Sequence, residues 1–550
     1  MTMNNSKTYD YIIIGGGSAG SVLAARLAEQ ADLKICLIEA GSRDETPRIQ
    51  TPAGTITLYK SKKFSWNFYS TPQKSLGGRQ IHVPRGKALG GSSSMNSMIY
   101  IRGLPSDYDR WEQQGCEGWG WNNVLPWFKR SEKNLLSQDP AYHGFNGELL
   151  VDKPRDPNPV SALFVAAGKR VGLAENTDFN GKSLAGVGIY NVTQKDGKRL
   201  SSYRAFLHPH IGRSNLTVMT DCTVQTLIIE DKAVKGVRIT EHGRDQPTSI
   251  LCRHEVILSA GSIGSPHILL KSGIGPAAEL EAAGIPLVHP LPGVGKNLQD
   301  HLDGLVTVRS RNPLTLGFSL AAWKPILTSP FQYLFRRKGW LTTNYVEAGG
   351  FAATKLSSDE PDIQFHFVPG YRSHRGRLFE WGHGYAIHTC VLRPRSIGAL
   401  QLKRDGQIAI DFNFLADPYD ASVLVEGIKV ARNILAQPEF NALRGEEMLP
   451  GKHIQTDEQL HQYVKEYCAT VFHPVGTCKM GRDEMSVVAP DTLKVYGVEN
   501  LRVADASIMP TLISGNTNAP SIMIGERAAS MILQGTPVAE TETNKENAYA

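Results

Sequence analysis

The chain has too few cysteines, in the wrong arrangement, for a covalent or metal-stapled scaffold. Seven are scattered along it (Cys36, Cys116, Cys222, Cys252, Cys390, Cys468 and Cys478), an odd number with no CxxC pair. That argues against a disulfide framework and a zinc cluster, and a reducing compartment fits best. No stretch approaches 18 uncharged apolar residues, so no membrane-spanning helix is predicted. The opening MTMNNSKTYDYIIIGGGSAG lacks a basic stretch followed by a long apolar core; the short run from Tyr11 to Ile14 reads as a strand entering glycines, not as a signal peptide. Dense lysine and arginine blocks are missing and the net charge of +6 is mild for 550 residues. Nucleic acid is therefore a poor partner, and an anionic membrane surface is favoured only weakly. Internal repeats are also missing.

What is present is the composition of a globular protein, 41% hydrophobic and 20% charged, too long for one ordinary core. Two interlocked domains are expected. The 53 glycines suggest many tight turns and close backbone approaches. Residues 10–40 read as strand, glycine turn, helix and strand, a βαβ unit of parallel-sheet type. Residues 41–91 look loop-like, interrupted by Pro47, Pro52, Pro72 and Pro84, and loops this long usually wrap something. A helix is expected near 160–171 and strands return over 216–265. The alternating runs Ile363-Gln364-Phe365-His366-Phe367 and Ile408-Ala409-Ile410-Asp411-Phe412 read as antiparallel strands. Short strands and a last helix, beginning after Pro520, complete the chain. The polar tail 536–550 is expected to be disordered.

Gly15-x-Gly17-x-x-Gly20 lies between the first strand and the first helix. Gly15 permits the sharp turn, Gly17 lets the backbone approach a pyrophosphate, and Gly20 lets the helix pack on the sheet. The helix start, with Ser18 and Ala19, offers free N–H groups and partial positive charge to phosphates. Glu39, followed by Ala40, stands about 20 residues further on, placed to accept hydrogen bonds from a ribose diol. The acid points to an adenosine ribose without a 2′-phosphate and does not choose between NAD and FAD.

The choice comes from residues 85–109, RGKALGGSSSMNSMIYIRGLPSDYD. They resemble the first signature of the glucose-methanol-choline oxidoreductase family along its full length; GSIGSPHILLKSGIG at 261–275 resembles the second. The likeness runs from Tyr11 to about Leu533 and includes GVGKNLQDH at 293–301, HPVGTCKMG at 473–481 and RVADASIMPT at 502–511. It implies FAD in an α/β, Rossmann-like domain interleaved with a substrate domain of antiparallel sheet backed by helices. The expected division is 1–152 and 216–303 for the FAD-binding part, 153–215 and 304–464 for the substrate domain, and 465–535 for the FAD-binding and catalytic end. Residues implied near the cofactor are Trp66, Arg85, Gly86, Leu89, Gly90, Gly91, Ser92, Asn96, Ser97 and Met98, with Asn96 near the flavin C4a–N5 edge. Gly90-Gly91-Ser92-Ser93 is also a run of small residues whose backbone can lie against a flat ring and a pyrophosphate. Val224 matches a position whose backbone contacts adenine, and Ala260, before Gly261, one near the adenosine ribose. Asp505 and Ala506 match the family's second FAD-binding segment, and Thr517 is placed with Asn516. Some relatives bind FAD covalently through a histidine near the asparagine; no histidine occurs between Arg85 and Asp109, so non-covalent FAD is expected.

The same resemblance places His473 as the base that takes the alcohol proton, with Asn516 donating to the same oxygen, while the hydride passes to flavin N5. Neutral imidazole is available near neutral pH, and an amide donor favours developing alkoxide charge. The helix after Pro520 could point its N-terminus at the charge of the reduced flavin. Glu347 and His366 match positions that face substrate in relatives. The wording of the sequence is most similar to bacterial membrane-associated aliphatic alcohol dehydrogenases, with choline dehydrogenases close behind. A primary aliphatic alcohol as substrate, a quinone as acceptor and a cytoplasmic location, peripheral on the cytoplasmic face of the inner membrane, are the expectations. Oxygen as acceptor and, from another class, an FAD-containing hydroxynitrile lyase stand as alternatives. Trp323, Leu327, Phe331, Leu334 and Phe335 form an apolar set at helical spacing, read as core, pocket mouth or membrane face, with Pro330 expected to kink or restart the helix.

Overall fold

A computed structural model describes residues 7–535 except 245, 358 and 372–380. The tail 536–550 and the middle of the loop at 368–382 lie outside the described residues. β1 (Thr8–Ile14) is buried almost throughout, as a strand covered on both faces by helices must be. It enters α1 (Ser18–Ala28), which is followed by β2 (Ile35–Ile38). β2 and Leu216–Met219 extend the parallel sheet on one side of β1, and Thr248–Leu258 joins it in parallel on the other. The long Thr248–Leu258 strand has two partners: its first half pairs antiparallel with Ala233–Glu241, and its end pairs parallel with Leu501–Val503. Cys222–Glu230 completes the seven-stranded sheet.

α1 lies against the last helix, Asn518–Gly535. The approach is close: a Cβ at Gly525 would sit 2.7 Å from the Ala19 carbonyl oxygen. Arg26 of α1 holds buried Glu526 at 2.7 Å and reaches Glu148 at 2.7 Å. That last helix begins at Asn518, earlier than expected, because Pro520 sits in its first turn, where a missing N–H costs nothing.

The second sheet has seven strands, all antiparallel, in the order Arg444–Leu449, Leu302–Ser310, Gly384–Val391, Ile363–Val368, Ala348–Ala352 and Gly186–Ile189, with Ala469–Thr470 added beside Leu302. Helices Pro159–Arg170 and Pro418–Leu435 back it. Helix Asp457–Tyr467 and strand Ala469–Thr470 carry this layer past the expected boundary at 464. Alternation sorts the strand Ile363–Val368: Ile363, Phe365 and Phe367 enter the helix-backed core, and Gln364 and His366 take the opposite face. Ile408–Asp411 is a strand but not part of this sheet; it pairs only with Ala399–Leu402 in a separate hairpin. Within 41–91, the loop-like reading gives way to short helical turns at Pro47–Gln50, Pro52–Gly54 and Thr55–Leu58 and a hairpin of Phe68–Tyr69 with His82–Val83.

Candidate active site

The parallel strands deliver their carboxyl ends to one rim, and most of the expected cofactor residues stand there. Gly15 follows β1, Glu39 closes β2, Ala260 and Gly261 follow Thr248–Leu258, and Asp505 follows Leu501–Val503. This is the crevice in which open α/β sheets bind ligands. The three glycines of the turn differ in surroundings. Gly15 has φ +99°, and a Cβ there would sit 2.5 Å from the Ser259 carbonyl oxygen. A Cβ at Gly20 would collide with the Gly15 carbonyl. At Gly17 the nearest atom would be 3.8 Å away, and at Gly261 none lies within 4 Å. Gly15 and Gly20 are packed, whereas Gly17 and Gly261 border open space, which is the cradle a pyrophosphate and ribose need.

The second glycine run closes onto the first. Gly90 N–H donates to the Gly16 carbonyl (2.7 Å), and a Cβ on Gly91 would reach the Gly17 Cα at 2.8 Å. α1 has no side-chain cap, so its first N–H groups are free for a ligand. Ser18 Oγ donates to Asn518 Oδ1 (2.8 Å), bringing the starts of α1 and the last helix together. Glu39 accepts from Gly16 N–H (2.9 Å) and Gly41 N–H (2.8 Å), and burial pushes its carboxyl up to about 7. The Glu39 carbonyl accepts from Cys222 N–H (3.0 Å), which brings the start of the strand carrying Val224 to the end of β2. Asp505 accepts from Gly261 N–H (2.8 Å) and Ser265 Oγ (2.5 Å), and the Ala506 carbonyl accepts from Gly476 N–H (3.3 Å). These residues fit FAD. Trp66 stands at the edge, 39% exposed, under the Lys87 ammonium at 4.7 Å.

Arg199 was not singled out by sequence. Buried between the loops, it donates from Nε to the Ile49 carbonyl (3.0 Å), from Nη2 to Thr55 Oγ1 (2.5 Å), and from Nη1 to the carbonyls of Ser93 (3.1 Å) and Asn96 (2.7 Å) and to Asn96 Oδ1 (2.9 Å). One guanidinium thus fixes Asn96, whose Oδ1 also accepts from Met98 N–H (3.0 Å). Met98 sits at φ +58°, a conformation a side chain adopts only under such constraint.

His473 and Asn516 meet: Asn516 Nδ2 lies 3.2 Å from His473 Nε2. The loop carrying His473 is held by groups distant in sequence. Asp300 accepts from the His473 backbone N–H (2.7 Å) and from Thr470 Oγ1. Arg85 donates to the Phe472 carbonyl (2.7 Å), and Phe472 is at φ +74°. Burial and the neighbouring His301, His366 and Arg85 hold His473 well below the usual histidine range, so it is neutral. Burial takes His301 down to about 4 and His366 down to about 3. His366 is on the same polar face as Gln364, and its Nδ1 is buried with no hydrogen-bond partner among the described residues, a group left for a ligand oxygen. Thr517 opens the last helix, its carbonyl accepting from Ser521 N–H (3.1 Å).

Glu347 is bound by the chain's own donors. Its carboxylate is buried and already taken by Asn158 N–H (2.6 Å), Ser161 Oγ (2.9 Å) and Thr343 Oγ1 (2.6 Å). It clamps the start of Pro159–Arg170 to the segment before Ala348. The residues that hold His473 and Asn516 in place, His301, Asp300 and Gln364, lie 152 or more positions from their partners, and Arg199 lies 103 from Asn96, so no local spacing reveals them.

The expected apolar set lies on one helix, Trp323–Arg336, continuous through Pro330. Pro330 is exposed, so water can satisfy the carbonyl its ring leaves unpaired, and no break is forced. The set is not core. Trp323, Leu327, Phe331, Leu334 and Phe335 are all exposed, and inward the helix presents Ser329 and Tyr333. No helix among the described residues is long and apolar enough to cross a membrane.

Family models described as GMC oxidoreductase match residues 9–303 and 394–525. An alcohol dehydrogenase [acceptor] of Pseudomonas putida is 45% identical over 541 residues, covering 98% of each chain. An oxygen-dependent choline dehydrogenase of Vibrio vulnificus is 39% identical over 96% of this chain and 95% of that one. The crystal structure of pyridoxine 4-oxidase from Mesorbium loti superposes with a TM-score of 0.86 at 29% identity, over 96% of this chain and 100% of that one.

Proposed function

The chain belongs to the GMC oxidoreductase family and is an FAD-dependent alcohol dehydrogenase, and from that premise we propose that it oxidises an uncharged primary aliphatic alcohol to the aldehyde and passes the electrons to a quinone-type acceptor. The likeness to a protein named alcohol dehydrogenase [acceptor] supports the acceptor class. One observation carries the substrate class. The polar groups gathered around His473 (Asn516, Gln364, His366, His301) are neutral, and the one carboxylate expected to face a cationic substrate, Glu347, is saturated by the chain's own donors. Such a lining offers neutral hydrogen-bonding groups to a hydroxyl, and its carboxylate is already engaged by three of the chain's own donors, which favours an uncharged alcohol over a quaternary ammonium.

Bound FAD supplies the acceptor for the hydride from the alcohol's α-carbon, non-covalently on this reading. The chain's residues supply the rest. An alcohol oxygen placed between His473 Nε2 and Asn516 Nδ2 gives its proton to the first and accepts a hydrogen bond from the second. His473 as general base is worth about 10²–10⁴-fold, and Asn516 stabilises the charge left on oxygen.

Peripheral attachment to an anionic bilayer belongs to the same proposal. The outward apolar face of Trp323–Arg336 is joined by exposed Phe318, Leu320 and Trp381. Between Asp303 and Glu347 there is no acidic residue, whereas Arg309, Arg311, Lys324, Arg336, Arg337 and Lys338 are all basic. An apolar face on a stretch of chain that carries only basic charges suits a negatively charged lipid surface.

Anaerobic flavin absorbance with alcohols from ethanol to dodecanol, choline and benzyl alcohol tests the substrate class. Bleaching by medium-chain alcohols and not by choline is expected; bleaching by choline alone overturns the substrate proposal. Reoxidation by a soluble quinone faster than by air supports the acceptor, and the reverse order rejects it. A flavin that no alcohol bleaches returns the question to the lyase.

A further inference from the structure

We propose that a chain of hydrogen bonds anchored at two backbone carbonyls holds His473 in the tautomer with hydrogen on Nδ1 and a bare lone pair on Nε2, with His301, Gln364 and Tyr190 as positioning residues. The inference rests on the reading of His473 as the base.

The first anchor is the Leu392 carbonyl, 3.0 Å from His301 Nε2. A carbonyl oxygen only accepts, so His301 carries its hydrogen on Nε2. His301 is neutral, so its Nδ1 is a bare acceptor. That Nδ1 lies 3.0 Å from His473 Nδ1, with the two rings nearly perpendicular at 88°. His473 Nδ1 must therefore donate, and with one hydrogen on a neutral ring its Nε2 is bare.

The second anchor reaches the same ring from the other side. The Phe365 carbonyl accepts from Tyr190 Oη at 2.7 Å. The Tyr190 hydroxyl hydrogen is thereby committed, so its oxygen accepts from Gln364, 3.3 Å away. The Gln364 atom there is the amide nitrogen, and it also donates to Asn516 at 3.1 Å. Asn516 thus receives on its oxygen and turns its NH₂ to His473 Nε2, 3.2 Å away. Two chains that share no residue but His473 assign the same atom as acceptor. Reversing either would set two lone pairs against each other in a dry interior.

The alternative device, a carboxylate on the ring as in the Ser-His-Asp arrangement, is not used among the described residues. Asp300, the near carboxylate, is spent on the His473 backbone N–H. A neutral partner orients the ring without adding negative charge beneath it. When the substrate O–H bond breaks, the new N–H bond forms on Nε2, and Nδ1–H continues to donate to His301.

Glutamine can present an acceptor and a donor about as far apart as the two imidazole nitrogens; leucine presents neither. In holoenzyme carrying [15N]histidine, the His473 resonances, identified by their loss in His473→Gln, should show a protonated Nδ1 and an unprotonated Nε2. His301→Leu should mix the two tautomers and slow anaerobic flavin reduction by about 10- to 100-fold, whereas His301→Gln should keep the wild-type tautomer and rate. A protonated Nε2 in the wild type overturns the proposal. So does a His301→Leu protein with unchanged spectrum and rate, or a His301→Gln protein that retains FAD and Tm yet loses as much as His301→Leu. The spectrum is read without substrate, so a wrong alcohol does not touch it, and if His301→Leu fails to fold, the wild-type spectrum and the glutamine variant still decide.

Discussion

Replacing His473 by glutamine should slow flavin reduction by about 10²–10⁴-fold while FAD remains bound; a smaller loss would move the base elsewhere. The pH profile has a definite sign. His473 is held below the ordinary histidine value by burial and by His301, His366 and Arg85, so the neutral form persists as pH falls. The acid limb of kcat/KM should therefore lie below about 6.5, the unperturbed value. Burial lifts Asp300, which holds the His473 loop, to about 7, so a limb near 7 reports that carboxyl, and a limb well above it refutes the assignment. Arg199 is the other single residue with leverage. Arg199→Met removes five hydrogen bonds that join three loops at Asn96. Lower FAD occupancy and a destabilisation of about 2–5 kcal/mol are expected in thermal melts.

Among elements, the glycine turn and the outward helix make contrasting claims. Gly20→Ala should fail to fold, because its Cβ would meet the Gly15 carbonyl. Gly17→Ala should fold, because the structure leaves room there, and should lose FAD, because that room is the cofactor's; fold and FAD both retained would displace the cofactor from this crevice. Changing Leu327, Phe331 and Leu334 to serine should abolish sedimentation with phosphatidylethanolamine vesicles containing phosphatidylglycerol, leaving flavin reduction by a soluble alcohol intact, since none of the three contacts the site's hydrogen-bond network. The glycine turn was legible in sequence because strand, turn, helix and acid lie within one short stretch of chain. The apolar helical stripe was legible too, but not its direction. An amphipathic pattern says that one face is apolar and leaves open whether protein or lipid covers it. Pro330 was expected to kink or restart the helix, and the helix runs on through it.

At the scale of the molecule, the family's two-sheet architecture was legible through its motifs, and the meeting of the sheets was not. His473 and Asn516 could be aligned with the family, but what orients them comes from the antiparallel sheet: His301 just before its strand Leu302–Ser310, Gln364 on its polar face, and Tyr190 just past its edge strand. The clamp at Glu347 was hidden for the same reason; its partners Asn158 and Ser161 stand 189 and 186 positions away.

The segment leaving the outward helix has a further consequence. It runs through Thr343, which holds Glu347, and Asn344, whose side chain donates to the Ser97 carbonyl at 2.8 Å, one residue from Asn96. The outward helix ends at Arg336, seven and eight residues before Thr343 and Asn344, so on the proposed docking an alcohol partitioned into lipid would enter close to the site. On the proposed docking, surface-dilution kinetics are expected. With a poorly water-soluble alcohol held at fixed total amount, adding empty vesicles should slow turnover in proportion to the alcohol's falling mole fraction in the bilayer, and a rate that follows the bulk concentration instead would assign the helix to attachment alone.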